Sequence, residues 1–424
     1  MVNYSCKNKT KGRKNMLLSE NVYFVKGFKN AAIYDLYNKQ VYAVNEIGKN
    51  LLEKYLEDEN AKLDSDEKEY IDKLVELNLL TKNKEEHTKE LKKPKERLIY
   101  TWLEITDRCN LNCVHCYGEF GKPSTKEREL VSTEEWKRII DELISLNCLE
   151  IQLIGGEPTV HKDFFEILTY AHEKGMEKID VFTNATLINE KNIEIFKKCN
   201  CNVRVSVYGH NSELHDKITQ DKGSFEKTKN ALLLLKKYEI PTRIAVVVMR
   251  ENENYLREIA EFIKSIGHKY TGYDVIRPSC ANTISTHTIS NVKTLEARYN
   301  VKPVFRTSEH EFIHNYYYNS CWNGKIAITA TGDVIPCIFA RDEVVGNIRK
   351  NSFEEIKEQM IKKWSITKDK VEGCKDCEFR YCCHDCRPIA KGINGDSLSK
   401  YPRCCYNPYE GIWEKIETIT KEIK

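Results

Sequence analysis

The chain has 424 residues, and its 67 Lys and Arg against 64 Asp and Glu leave a net charge of +3, too weak a field to point to nucleic acid or a membrane surface as the main partner. A mean hydropathy of −0.57 and the lack of any long apolar run exclude a spanning helix. The first fifteen residues are basic (Lys7, Lys9, Lys11, Arg13, Lys14) with no apolar stretch behind them, unlike a signal peptide. The seventeen cysteines therefore point to metal ligation in a reducing cytoplasm rather than to disulfides.

Residues 1–85 form the first predicted unit. Val22–Val25, Ala31–Tyr34 and Val41–Val44 are short apolar runs separated by Gly, Asn, Asp and Lys, the pattern of a small sheet. A helix follows with Asn45 as N-cap and Leu51, Leu52, Tyr55 and Leu56 on one face; a second carries Tyr70, Ile71, Leu74 and Leu77. The string Val44-Asn45-Glu46-Ile47-Gly48, with Leu51-Leu52 beyond it, resembles the winged-helix-like recognition element of enzymes that modify ribosomally made peptides (RiPPs). The resemblance implies a leader peptide added as a strand to the sheet edge. A DNA-binding winged helix or a simple packing cap are the alternatives. Neither helix gathers Arg and Lys on one face, which counts against DNA.

Residues 86–97 have the charged composition of a linker, partly helical at most. Over 98–310, apolar strand candidates near 100–105, 149–154, 178–183, 203–207, 243–248 and 271–276 alternate with helical patterns. The clearest helix opens with the capping box Ser132-x-x-Glu135 and continues through Trp136, Ile139, Ile140, Leu143 and Ile144. Six such units predict an α/β fold with parallel strands and right-handed crossovers. Pattern alone does not choose between open sheet and barrel.

Directly after the first of these strands stand Cys109, Cys113 and Cys116, spaced Cys-x3-Cys-x2-Cys. Three thiolates on one loop suit three irons of a cubane and leave the fourth without a protein ligand, whereas structural zinc wants four ligands in paired spacing. At this loop the chain resembles the radical SAM (S-adenosylmethionine) enzymes, in which SAM chelates the open iron. That resemblance implies a partial (β/α)6 barrel with its site at the C-terminal strand ends, as in complete barrels. Gly155-Gly156-Glu157, at the end of the second strand, matches the family's motif for the SAM amino group. Thr183-Asn184 and Ser206 match positions that contact the ribose and carboxylate, with Arg243 and Met249 as weaker candidates; ordinary strand-end polar residues are the competing reading.

Residues 311–424 hold a second cysteine-rich arrangement. Cys321 and Cys337 flank a predicted hairpin turning at Thr331-Gly332-Asp333. Cys374-x2-Cys377-x5-Cys383-x2-Cys386 follows, then Cys404 and Cys405. Taken alone, this run also suits a zinc ribbon. After the upstream loop it resembles the SPASM extension of radical SAM peptide-modifying enzymes. That resemblance implies two auxiliary [4Fe–4S] clusters, three in all: one on Cys321, Cys337 and Cys386, the other on Cys374, Cys377, Cys383 and Cys404. Many family members have one more residue before the last cysteine of the run, which leaves Cys382 as an alternative to Cys383, and Cys405 competes with Cys404. A ligand found in some members six residues before Cys321 is Asn315 here, which leaves one auxiliary iron open or closed by Cys280, Cys382 or Cys405. Cys6, Cys148, Cys199, Cys201 and Cys280 lack ligand spacing and read as structural.

The expectation is a cytoplasmic radical SAM maturase, with no nucleic acid or membrane partner. It would cleave SAM to a 5′-deoxyadenosyl radical and crosslink a ribosomally made precursor peptide. A cysteine thioether is favoured because an open auxiliary iron suits a thiolate, and a ferredoxin or flavodoxin is the expected reductant. A carbon–carbon crosslink, a maturase of folded enzymes and a metal-sensing winged-helix DNA-binding regulator are the alternatives.

Overall fold

A computed structural model describes residues 17–58, 61–81, 90–118, 120–121, 129–277, 287 and 305–414. The N-terminal part runs β1 (Leu17–Leu18), β2 (Val22–Lys26), β3 (Ala31–Asp35), β4 (Gln40–Val44), α1 (Glu46–Glu57), α2 (Ser65–Glu76) and β5 (Leu80–Thr81). β2, β3 and β4 form an antiparallel meander, and β1 pairs with β5. Asn45 caps α1 as expected, its side chain accepting the Gly48 N–H at 2.9 Å. Asp64 and Glu67 make a capping box on α2. Val22, Ala31, Ile33 and Val44 pack on Leu51, Leu52, Ile71 and Leu74, and each large aliphatic side chain so buried contributes about 1.5–3 kcal/mol. The opposite face of the sheet is also covered. Val25, Ala32, Tyr34 and Val41 meet Phe312, Phe379, Tyr381, Cys382 and Tyr406 from the C-terminal part. Strand edges, rather than faces, are left to meet a partner.

The central part runs β6 (Tyr100–Thr106), α3 (Thr133–Ser145), β7 (Glu150–Gly155), α4 (Phe164–Glu173), β8 (Lys178–Thr183), α5 (Ile193–Lys198), β9 (Asn202–Ser206), α6 (Ser212–Thr219), α7 (Ser224–Lys237), β10 (Thr242–Ala245), β11 (Val247–Val248), α8 (Leu256–Ser265) and β12 (Asp274–Val275). From β6 to β10 the strands are parallel neighbours in chain order. The predicted fifth strand breaks at Val246 into β10 and β11, and β11 pairs in parallel with β12. Leu103, Ile105, Ile151, Leu153, Ile179, Val181, Val203 and Val205 are buried in the core that also holds Trp136, Ile139, Ile140, Phe164 and Leu232 of the helices. The alternate positions are largely polar: Tyr100 bonds Gln152 at 3.1 Å, and Asp180 accepts from Asn202 and Arg204 at 3.1 and 2.5 Å. Alternation departs from the near-continuous apolar pattern of parallel strands buried on both faces. It fits a curved sheet whose inner side lines a lumen.

The C-terminal part adds α9 (Glu309–Tyr317), β13 (Lys325–Ile328), β14 (Asp333–Ile335), β15 (Gly346–Asn347), α10 (Phe353–Trp364), α11 (Arg387–Asn394), β16 (Tyr406–Asn407) and β17 (Ile412–Trp413). The hairpin forms where the sequence places it, with Gly332 at φ 84° in the turn. Its destination was not legible. β13 lies parallel to β6, Lys325 opposite Tyr100 and Ile328 opposite Leu103, so the hairpin extends the central sheet. An incomplete barrel leaves its first strand as an edge, and an unpaired edge demands a partner. The linker is extended over the described residues 90–97 rather than partly helical. Tyr317 and Tyr318 donate to the Leu91 and Pro94 carbonyls, and the Gly324 carbonyl accepts the Ile99 N–H at 2.7 Å. Among the described residues no helix is long and apolar enough to cross a membrane.

Candidate active site

The Cys109–Cys116 loop leaves the C-terminal end of β6 and is pinned from two sides. The Asn112 and Val114 N–H groups donate to the Thr219 and Ile218 carbonyls at the end of α6, at 3.1 and 3.0 Å. Asn110 exchanges side-chain hydrogen bonds with Thr186 at 2.8 Å and Asn184 at 2.9 Å. Gly155 and Gly156 press against the same loop. A Cβ at Gly155 would lie 2.3 Å from the Thr106 carbonyl oxygen, and one at Gly156 2.2 Å from that of Arg108. The two glycines thus serve a close approach of backbone to backbone, not only of backbone to ligand.

Glu157 is fully buried and ties the ends of β7 and β8 together. Its carboxylate accepts from Thr159 N–H and hydroxyl at 3.1 and 2.5 Å, from the Thr183 hydroxyl at 2.7 Å and from the Asn184 N–H at 2.7 Å. Burial raises its pKa against these bonds. Ser206 ends β9, hydrogen-bonded to Tyr208. Arg243 stands in register with Arg204 near the start of β10, exposed and clear of the Glu157 group. Met249 is buried in a cluster with Tyr208, Ile218 and Val275 that also contacts Cys113.

Across the lumen the cysteine loop meets the C-terminal part. Arg341, four residues after Cys337, binds Glu104 of β6 at 2.7 Å and lies over the rings of Phe120 and Tyr117 at 5.3 and 5.9 Å. Arg277 sits over Phe339 at 4.6 Å and pairs with Asp274 at 2.6 Å. Sequence reasoning missed all four charged groups. Glu104 was findable, being a charge inside an otherwise apolar strand; its partner is a distant loop residue with no motif.

The other cysteines fall into two groups whose members raise one another's pKa. Burial pushes Cys321 up to about 12 and Cys337 to about 11, with Cys337 and Cys386 among the influences at Cys321. Cys377 responds to Cys383 and Cys404, Cys383 to Cys404, and Cys404 to Cys374, again after burial as the main cause. Cys382 is turned away: its sulfur receives the Tyr34 hydroxyl at 3.7 Å and reaches the Phe379 carbonyl at 3.4 Å. Cys405 is fully buried at the base of the β16–β17 hairpin. Asn315 donates to the Tyr381 carbonyl at 2.9 Å. Cys148, Cys199 and Cys201 are packed in the main core, while Cys6 and Cys280 lie outside the described residues.

The radical SAM superfamily model matches residues 103–263, and an iron–sulfur cluster-binding domain, SPASM, matches residues 321–378. This chain is a radical SAM enzyme. Among its relatives, the antilisterial bacteriocin subtilosin biosynthesis protein AlbA of Bacillus subtilis is 29% identical over 340 residues, covering 76% of this chain and 74% of AlbA. An AdoMet-dependent heme synthase of Methanosarcina barkeri is 27% identical, covering 72% of this chain and 95% of its own. The crystal structure of Streptococcus suis SuiB bound to precursor peptide SuiA shares the fold, with a TM-score of 0.52 at 16% identity over 91% of this chain and 98% of that one.

The cofactors of this radical SAM enzyme are [4Fe–4S] clusters and SAM, and the donor set fits them. Burial pushes the Cys109 thiol up to about 11 and raises Cys113 likewise, with neighbouring cysteines adding to it, and a cation such as iron beside them would favour the thiolates. Backbone N–H groups two residues on already point at four sulfurs: Leu111 at Cys109 and Phe379 at Cys377, both 3.4 Å, Phe339 at Cys337 and Tyr406 at Cys404. Such bonds stabilise thiolate and tune cluster potential. Among the described residues no three His, Cys, Asp or Glu converge on a single ion; a cubane, by contrast, takes each thiolate on a separate iron.

The hub at Glu157 supports a prediction. Glu157→Ala strands four donors in a dry site, and is expected to cost about 3 kcal/mol of stability in urea unfolding as well as weakening SAM binding. Unchanged stability and unchanged SAM affinity together would refute both roles.

Proposed function

We propose that this enzyme joins a cysteine sulfur to a carbon of another residue in a ribosomally made precursor peptide. Residues 1–85 serve as the leader-recognition element, 86–97 as linker, 98–310 as the radical core and 311–424 as the auxiliary-cluster domain. The observation that carries the reading is that the Cys109–Cys116 loop and the segment after Cys337 lie side by side, joined by the Glu104–Arg341 pair and by Arg341 over Tyr117 and Phe120. A peptide segment lying between them reaches both. The subtilosin relative and the peptide-bound fold of SuiB support a peptide substrate.

Cys109, Cys113 and Cys116 would hold the cluster that binds SAM, and the two together would supply the radical chemistry that takes a hydrogen atom from the target residue. Gly155, Gly156 and Glu157 shape the wall behind SAM, with Thr183, Asn184 and Ser206 at the adjoining strand ends. The buried Glu104, with the Tyr117 hydroxyl beside it, keeps water from this part of the inner face. Cys321, Cys337 and Cys386 offer three thiolates, and a substrate cysteine is the soft donor that completes the set. Cys374, Cys377, Cys383 and Cys404 hold the other auxiliary cluster, and a ferredoxin or flavodoxin provides electrons.

The test is anaerobic turnover of the reconstituted protein with SAM, dithionite and a cysteine-bearing precursor, read by mass spectrometry. The expected product has lost two hydrogens and carries a cysteine that no longer alkylates. Loss of two hydrogens with a freely alkylating cysteine would replace the thioether by a carbon–carbon bond. Turnover of a porphyrin, with no change in any peptide, would overturn peptide maturation.

A further inference from the structure

Asp385 lies in sequence between Cys383 and Cys386, and so between the two C-terminal cysteine groups. Its side chain is 2% exposed and meets two buried cations, Lys368 Nζ at 3.0 Å and Arg387 Nη2 at 2.7 Å, themselves 8% and 0% exposed. Arg387 Nη1 also donates to the Ser397 and Ser399 carbonyls, both at 2.9 Å, on the segment that runs on to Cys404. Both contacts with Asp385 are ion pairs off the hydrogen-bond line, since its two oxygens and Arg387 Nε and Nη2 have no aligned partner.

Burying three charges costs several kcal/mol per ion unless each finds its opposite. Two cations against one carboxylate leave a unit of positive charge in the interior. Cys383 and Cys386, which flank Asp385 in sequence, offer sulfurs that as thiolates would balance it. Lys368 reaches Asp385, and Asp385 stands two residues from Cys383, so the cation is held beside the Cys383 end of this cysteine group. A cubane with four thiolates is anionic and becomes more so on reduction, so a fixed cation beside it favours the reduced form.

We infer that Lys368 sets the reduction potential of the cluster on Cys374, Cys377, Cys383 and Cys404, holding it above the value the thiolates alone would give, with Asp385 as the opposing charge. Lys368 is a positioning residue here and touches no substrate. The inference rests on the ligand assignment proposed above.

The experiment is a potentiometric titration followed by electron paramagnetic resonance. It uses the full-length chain with Cys109, Cys113 and Cys116 replaced by Ala, so that only auxiliary signals remain. The signal lost on Cys374→Ala identifies the cluster in question. Lys368→Met is expected to move its midpoint to a more negative potential, Lys368→Arg to leave it in place, and Asp385→Asn to move it the other way. A structural defect does not produce shifts of opposite sign. Should Lys368→Met lose iron, the Asp385→Asn shift decides alone. An unmoved midpoint in the loaded variants overturns the inference and leaves the ligand assignment standing. Unchanged iron content and signals in Cys374→Ala overturn the assignment and the inference together.

Discussion

Replacing Cys109, Cys113 and Cys116 together with Ala is expected to abolish 5′-deoxyadenosine formation and to lower iron from about twelve to about eight per chain. The rest of the fold has reason to survive. The loop is held by backbone bonds from Asn112 and Val114 to α6 and by Asn110, none of which involves a thiol. Iron analysis and chromatography of nucleoside products, each made on anaerobically reconstituted protein, read the two effects separately. Full iron content with intact SAM cleavage would remove the loop from the chemistry.

The second large effect concerns the leader. Removing residues 1–85 would strip the cover from Phe312, Phe379, Tyr381 and Tyr406, so a truncation confounds recognition with damage to the auxiliary domain. One edge substitution avoids this. In the β3–β4 pairing, the Val41 and Ala43 N–H groups point away from the sheet, and Val41 already donates outward to the Phe305 carbonyl at 3.0 Å. Ala43→Pro removes the next outward donor without touching a ladder bond. If the leader adds along β4, the KM for a leader-bearing peptide is expected to rise about 100-fold. Peptide-independent SAM cleavage should stay level. Equal KM values for the two proteins would exclude this edge.

Much of this arrangement was legible because local rules governed it. The Asn45 cap, the Ser132–Glu135 box, the Thr331-Gly332-Asp333 turn and the first four central strands each depend on a few neighbours in sequence, and each stands where expected. The cysteine spacings were legible for the same reason, since each is a count of a few residues within one loop. What escaped was long-range pairing between residues without a period or motif. Arg341 with Glu104, Lys368 with Asp385, and the packing of Tyr34 on the C-terminal loops depend on tertiary closure that no local window contains. Glu157 shows the middle case: its place was readable from the motif, but its four donors were not.

The parallel seating of β13 beside β6 has a consequence for how the molecule is made. β6 leaves the ribosome early, yet its free edge stays open until Lys325–Ile328 emerge. Roughly 225 residues of synthesis separate the two, which is tens of seconds at typical elongation rates. Throughout that interval the nascent chain exposes an open strand edge with three free thiols just beyond the strand's end. Oxidation or edge-to-edge association during translation, rather than instability of the finished protein, is thus the expected cause of poor yield. Slower growth under strict anaerobiosis should recover more intact enzyme than any stabilising substitution in the native state.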